Sequence, residues 1–171
     1  MWFGVSVENQ KTADERIPLL LKCPAAVRWI SAEPLLGPVL LDNGESSWLS
    51  CTSTATDPDG DSEEHCCESF HVSGAHFRGI DWVVCGGESG PGARPMHPEW
   101  ALSLRDQCQA AGVPYLFKQW GEWAPLSAMT TDHTVKFHRF DDGAEVYLMG
   151  KHAAGRELDG RTWDEYPEVS R

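Results

Sequence analysis

Residues 80–119, IDWVVCGGESGPGARPMHPEWALSLRDQCQAAGVPYLFKQ, decide how this chain folds. Ile80 to Cys85 is a short apolar run bounded by glycines, the pattern of a strand buried on both faces. The span Pro98 to Ala111 reads as a helix. Its Trp100, Leu102, Leu104 and Cys108 include a 100/104/108 row on one side, Pro98 suits the first turn, and Gly112 suits the stop. Val113 to Phe117 is a second apolar run, ending in Lys118 and Gln119. Strand, helix, strand in this order implies parallel neighbours joined by a right-handed crossover.

Working outward, the same unit precedes it. Trp2 to Val7 reads as a fully buried strand, and Lys11 to Leu21 has helical apolar spacing through Ile17, Leu20 and Leu21. Thr12 is placed to cap that helix, with Glu15 as the returning partner of a capping box, and Pro18 predicts a kinked or short helix. Val27 to Ser31 is the next strand, and Pro34 and Pro38 stop regular structure after it. Residues 43–79 break the rhythm with Ser, Thr, Asp and Glu and read as a surface insertion. Beyond residue 124 the chain is less regular, with a predicted hairpin turning at Asp142-Gly143. The expectation is an α/β fold in two parts: alternating strands and helices over 1–124, interrupted by the acidic insertion at 43–79, then a C-terminal tail over 125–171.

At 171 residues and 41% hydrophobic, the chain is long enough for one sizeable core. It holds no apolar run of the roughly 20 residues that cross a bilayer and no signal-peptide pattern, so no membrane association and a cytoplasmic location are expected. Six unevenly spaced cysteines suit reduced thiols better than a disulfide framework. The net charge of -12 argues against nucleic acid as a partner, because such binding works by Lys and Arg displacing counterions. Much of that charge is local: residues 42–68 carry eight acids and no Lys or Arg.

In parallel α/β folds, ligands bind beyond the carboxyl ends of the strands. The four strand ends here read SVEN, SAEP, GGESG and KQWG, which makes Ser6, Glu8, Asn9, Ser31, Glu33, Glu88, Ser89, Lys118 and Gln119 a candidate shared rim. The plainer alternative is that strand ends are polar in any case. GGESGPGARP, with Gly86 and Gly87 leading, reads either as a shaped loop whose backbone N–H groups suit an anion or as a tight strand-to-helix connection, and it is neither a Walker motif nor GxGxxG. Arg94 either clamps a carboxylate or phosphate or pairs with Glu88 for structure. Glu8, Glu33 and Glu88 are the residues a hydrolase would use for acid/base work, and Lys118 is either a Schiff-base amine or an ion-pair partner of one glutamate. His65, Cys66, Cys67, His71 and His76 can each bind a metal, but adjacent cysteines and the absence of any CxxC argue against a structural zinc, so no metal site is assigned. Trp82, Trp100, Trp120, Trp123 and Trp163 are expected in the core.

Three segments carry a resemblance: WFGVSVENQKTADERIPLLLKCPAAVRWISAEPLLGPVLL, IDWVVCGGESGPGARPMHPEWALSLRDQCQAAGVPYLFKQWGEW and GKHAAGRELDGRTWDEYP. Together they resemble an uncharacterised phage and prophage protein family, a domain of unknown function related to radical SAM enzymes. The resemblance implies a partial or full TIM-type (β/α) barrel of which these are the later strands, so that residues 1–124 would form a half (β/α) barrel. It also implies S-adenosylmethionine as cofactor, with Ser6, Glu8, Asn9, Glu33, Gly86, Gly87, Glu88, Ser89, Lys118 and Gln119 on the cofactor and substrate side. The family's three-cysteine motif for a [4Fe-4S] cluster is missing, since no CxxxCxxC occurs, so this chain alone is expected to bind no cluster. The chain then reads as the C-terminal part of a longer protein, inactive alone and completed by an N-terminal half on a separate chain or by self-association, with its catalytic residues unassigned. A second reading makes it a protein-interaction module that uses the acidic insertion as its contact surface.

Overall fold

A computed structural model describes residues 1–42, 47–49, 79–126 and 136–168. Of the insertion expected at 43–79, only 47–49 and 79 are described, and its His/Cys cluster and all of its acids lie outside these residues.

Four strands, β1 (Trp2–Ser6), β2 (Val27–Ala32), β3 (Trp82–Gly86) and β4 (Tyr115–Gln119), form one parallel sheet in the order β1-β2-β3-β4. Helix α1 (Gln10–Leu21) connects β1 to β2, and α2 (Pro98–Ala111) connects β3 to β4. The register puts Val5, Ile30, Val83 and Tyr115 in one row across the sheet. Successive strand residues face opposite ways, so this row and the Ala32, Cys85 and Phe117 row share a face. These residues join Ala13, Ile17 and Leu20 of α1 and Ala101, Leu104 and Cys108 of α2 in one core. Both helices therefore cover the same side of the sheet.

No helix is described between β2 and β3. Instead residues 35–42 run between α1 and α2 and bury Leu35, Val39 and Leu41. Gln10 of α1 accepts from the Leu40 N–H (2.7 Å), and Gln107 of α2 accepts from the Leu41 N–H (2.6 Å) and donates to the Val39 carbonyl (3.0 Å). Side-chain amides thus satisfy a backbone that lies against the core without regular pairing.

Several local expectations are corrected. β1 is an edge strand rather than a fully buried one, with Trp2 and Phe3 44% and 38% exposed. Asn9, and not Thr12, caps α1: its side chain accepts from the Thr12 N–H (3.1 Å), while Thr12 Oγ1 takes the Asn9 N–H (3.1 Å). The Asn9/Thr12 pair fills the reciprocal roles expected of Thr12 and Glu15, because both groups are short enough to close the box. The buried row of α2 is Ala101, Leu104 and Cys108, and Trp100 sits at its margin. His97 caps α2 by accepting the Glu99 N–H on Nδ1 (3.1 Å), which leaves its proton on Nε2, 2.9 Å from Asp142.

That contact ties the tail to the sheet domain. Strands β5 (Trp123–Pro125), β6 (Phe137–Arg139) and β7 (Glu145–Leu148) form an antiparallel sheet, with Asp142 and Gly143 in the β6–β7 turn and β5 added on the far side of β7. A short helix α3 (Lys151–Ala154) follows. The last segment then runs antiparallel along β4: the Phe117 N–H donates to the Trp163 carbonyl (3.0 Å) and the Glu165 N–H to the Tyr115 carbonyl (3.2 Å). Arg105 and Arg161 both stack on the Trp163 ring, 5.1 and 3.4 Å from its centroid, which pins this segment to α2. Among the described residues, no helix is long and apolar enough to cross a membrane.

Candidate functional site

The side of the sheet away from the helices is an open cleft of about 410 Å³. Alternation brings Trp29, Ser31 and Glu33 from β2 and its end, Trp82 and Val84 from β3, and Leu116 and Lys118 from β4 to this side, and the tail adds Arg156, Asp164 and Tyr166. Its floor is aromatic. Trp82 lies 5.6 Å from Trp29, 5.3 Å from Tyr166 and 6.0 Å from Trp2, measured between ring centroids. Gly4 permits this, because a Cβ there would sit 2.3 Å from the Trp29 ring. Trp82 is therefore not a core residue as expected, whereas Trp120, Trp123 and Trp163 are buried.

Glu33 organises the end of the cleft nearest the strand tips. Its Oε2 accepts from Lys118 Nζ (2.9 Å) and its Oε1 from Gln119 Nε2 (2.9 Å). A bulge in the β3–β4 pairing shifts the register beside these residues. Glu33 is the more enclosed partner, 17% exposed against 54% for Lys118. Lys118 is thus an ion-pair partner, the plainer of its two sequence readings.

The other two glutamates close on local arginines. Glu8 takes Arg16 Nη1 on both oxygens (3.1 and 3.0 Å). Burial raises the Glu8 carboxyl, but hydrogen bonds from Arg16, its own N–H and Thr12 outweigh that and hold it below the ordinary carboxylate value. Glu88 binds the Arg94 guanidinium through both oxygens (2.8 Å each) and the Arg94 N–H (2.7 Å). Those bonds, the guanidinium's first, pull the Glu88 carboxyl down to about 2. Neither Glu8 nor Glu88 lines the cleft.

Gly86 and Gly87 lie where β3 leaves the sheet. A Cβ on Gly87 would come 1.8 Å from the Trp120 carbonyl oxygen, and one on Gly121 would come 2.1 Å from that of Glu88. Two backbones therefore cross here at a spacing only glycine allows. Ser6 and Ser89 are exposed, Ser6 lends its carbonyl to Arg16 (2.7 Å), and Asn9 is engaged as the α1 cap. The structure thus gathers Ser31, Glu33, Lys118 and Gln119 from the expected rim and disperses the rest. Trp29, Tyr166, Arg156 and Asp164 were missed. The first follows from strand alternation, but nothing in the sequence shows that the tail returns to β4.

The cysteines bear on the implied iron cluster. Cys85 and Cys108 are buried; desolvation raises the Cys85 thiol to about 12 and Cys108 further, and Cys23 stands apart. Among the described residues no three His, Cys, Asp or Glu side chains are grouped to hold a metal, so these residues do not fit a cluster.

A family model matches residues 1–167, insertion included. The chain belongs to the family described as Protein of unknown function (DUF5131). Among curated proteins and among solved structures nothing matches it. For this DUF5131 chain the geometry of the cleft, rather than a relative's activity, is the guide to chemistry.

Proposed function

We propose that this DUF5131 chain is the cofactor- and substrate-side part of a partial (β/α) barrel of radical SAM type, of phage or prophage kind, contributing ligand contacts but no iron. The observation that carries this reading is the winding. Strands in sequential order with both helices on one side are what a barrel wall requires, and the helix-free side would then be the barrel interior. The cleft on that side suits S-adenosylmethionine in kind: ring faces from Trp29 and Trp82 for adenine, Lys118 and Arg156 for the carboxylate, and Glu33 and Asp164 for the ammonium. With a reduced iron cluster held by another chain, that cofactor would supply radical chemistry. The chain carries no CxxxCxxC motif, so in this reading its part is to bind and orient. Missing strands, from a separate chain or a second copy, would add at β1.

Titration calorimetry with S-adenosylmethionine is expected to show weak binding, in the millimolar range, that Lys118→Met weakens further. Anaerobic reconstitution with iron and sulfide is expected to leave no stoichiometric brown cluster. A stable [4Fe-4S] species on the chain alone would overturn the reading.

A further inference from the structure

The acids and bases of the cleft are not equally occupied. Glu33 has one donor on each oxygen, from Lys118 and Gln119. An ammonium carries three N–H donors and a guanidinium five. Among the described residues, Lys118 spends one on Glu33, and Arg156 bonds Asp164 through Nη2. Both bases are about half exposed, at 54% and 45%. Lys118 therefore keeps two N–H donors and Arg156 four, while of the two carboxylates Glu33 is mostly enclosed, 17% exposed, and Asp164 is 48% exposed. Beside these donors, the Trp82 indole N–H is already bound to the Glu165 carbonyl (2.9 Å), so the indole offers a ligand its ring and not a hydrogen bond. Tyr166, 60% exposed, leaves much of its ring to solvent.

We infer that this cleft binds a small compound in which a planar ring carries an anionic group, the ring against Trp29, Trp82 and Tyr166 and the anion on Lys118 and Arg156. This deepens the proposed function by naming a substrate class, and it rests on that reading only for taking the helix-free side as the ligand side. A volume of about 410 Å³ fits a molecule of mononucleotide size and lies within the range of small-ligand pockets. Ring faces supply stacking, while a guanidinium and an ammonium lining the same cleft suit a phosphate or carboxylate.

The test is calorimetry on the full chain with five probes: adenosine 5'-monophosphate, adenosine, indole-3-acetate, indole and inorganic phosphate. Adenosine monophosphate or indole-3-acetate should bind at least about tenfold more tightly than its uncharged counterpart and than phosphate. Binding of the nucleotide alone would assign a nucleotide, and binding of the indole acid alone or of both would assign an aromatic acid or the general class. Lys118→Met and Arg156→Met should each weaken the best probe by about tenfold, and Tyr166→Leu by about fivefold. Should a variant fail to fold, the comparison of probes on the unaltered chain still decides. The inference is overturned if no probe binds, if each neutral ring binds as well as its anion, or if phosphate alone matches them. A parallel titration with S-adenosylmethionine separates the two ideas. Probe binding without it sinks the cofactor reading alone, and the reverse sinks this one alone.

Discussion

Glu88 and Arg94 form a closed pair whose consequences are local. The Glu88 carboxyl sits at about 2 in the folded chain against 4.5 when unperturbed. A depressed acid contributes stability at pH above its unfolded value and loses it as pH falls through the folded one, so the pair's contribution is complete above about 4.5 and gone below about 2. Arg94 is 60% exposed, and solvent screening keeps that contribution small. Carboxyl-detected NMR should therefore follow Glu88 titrating near 2, and Arg94→Ala should return it toward 4.5. A carboxyl that titrates at its ordinary value in the unaltered chain would show that the GGESGPGARP loop is not closed by this pair. Sequence supplied both residues but not the choice between ligand clamp and internal pair. The loop's glycines make each geometry accessible, and only the folded backbone brings the Arg94 N–H onto Glu88.

Among the elements, periodicity and punctuation located four strands and two helices, because apolar runs and caps act over a few residues. α2 was legible to the residue at both ends: Pro98 enters, and Gly112 closes with a left-handed φ of 66°. What local pattern could not show was partnership at a distance. β1 has an apolar sequence yet lies at an edge, and Trp82 has a core residue's composition yet faces the cleft, since burial depends on which neighbours arrive. The double glycine of β3 illustrates the same limit. Read alone it suggests backbone open to an anion, but the Trp120–Gly121 segment crosses it. Gly87→Ala should accordingly cost about 4 kcal/mol or more, because carbonyl and Cβ cannot share the space. Gly90→Ala meets no atom within 4 Å and should cost about 1 to 3 kcal/mol, from its φ of 96° alone. Equal denaturation midpoints for the two would contradict the crossing.

For the whole molecule, the two edges of the parallel sheet differ. β4 is sealed by the chain itself, through the Trp163 and Glu165 hydrogen bonds and the Arg105–Trp163–Arg161 stack. On β1, the Val7 N–H points to Ser31 of β2, so alternation turns Trp2, Gly4 and Ser6 outward. Arg16 covers the Ser6 carbonyl, and no strand is described beside the others. An apolar edge with unpaired backbone groups is a template for another strand. Among the described residues, the sheet is thus covered at β4 and open at β1. Light scattering behind size exclusion should then show association that rises with protein concentration. Phe3→Lys, at an exposed position of this edge strand, should shift that equilibrium to the monomer, with circular dichroism checking that the variant still folds. An unaltered chain that stays monomeric at every concentration would remove self-pairing as the way this edge is covered.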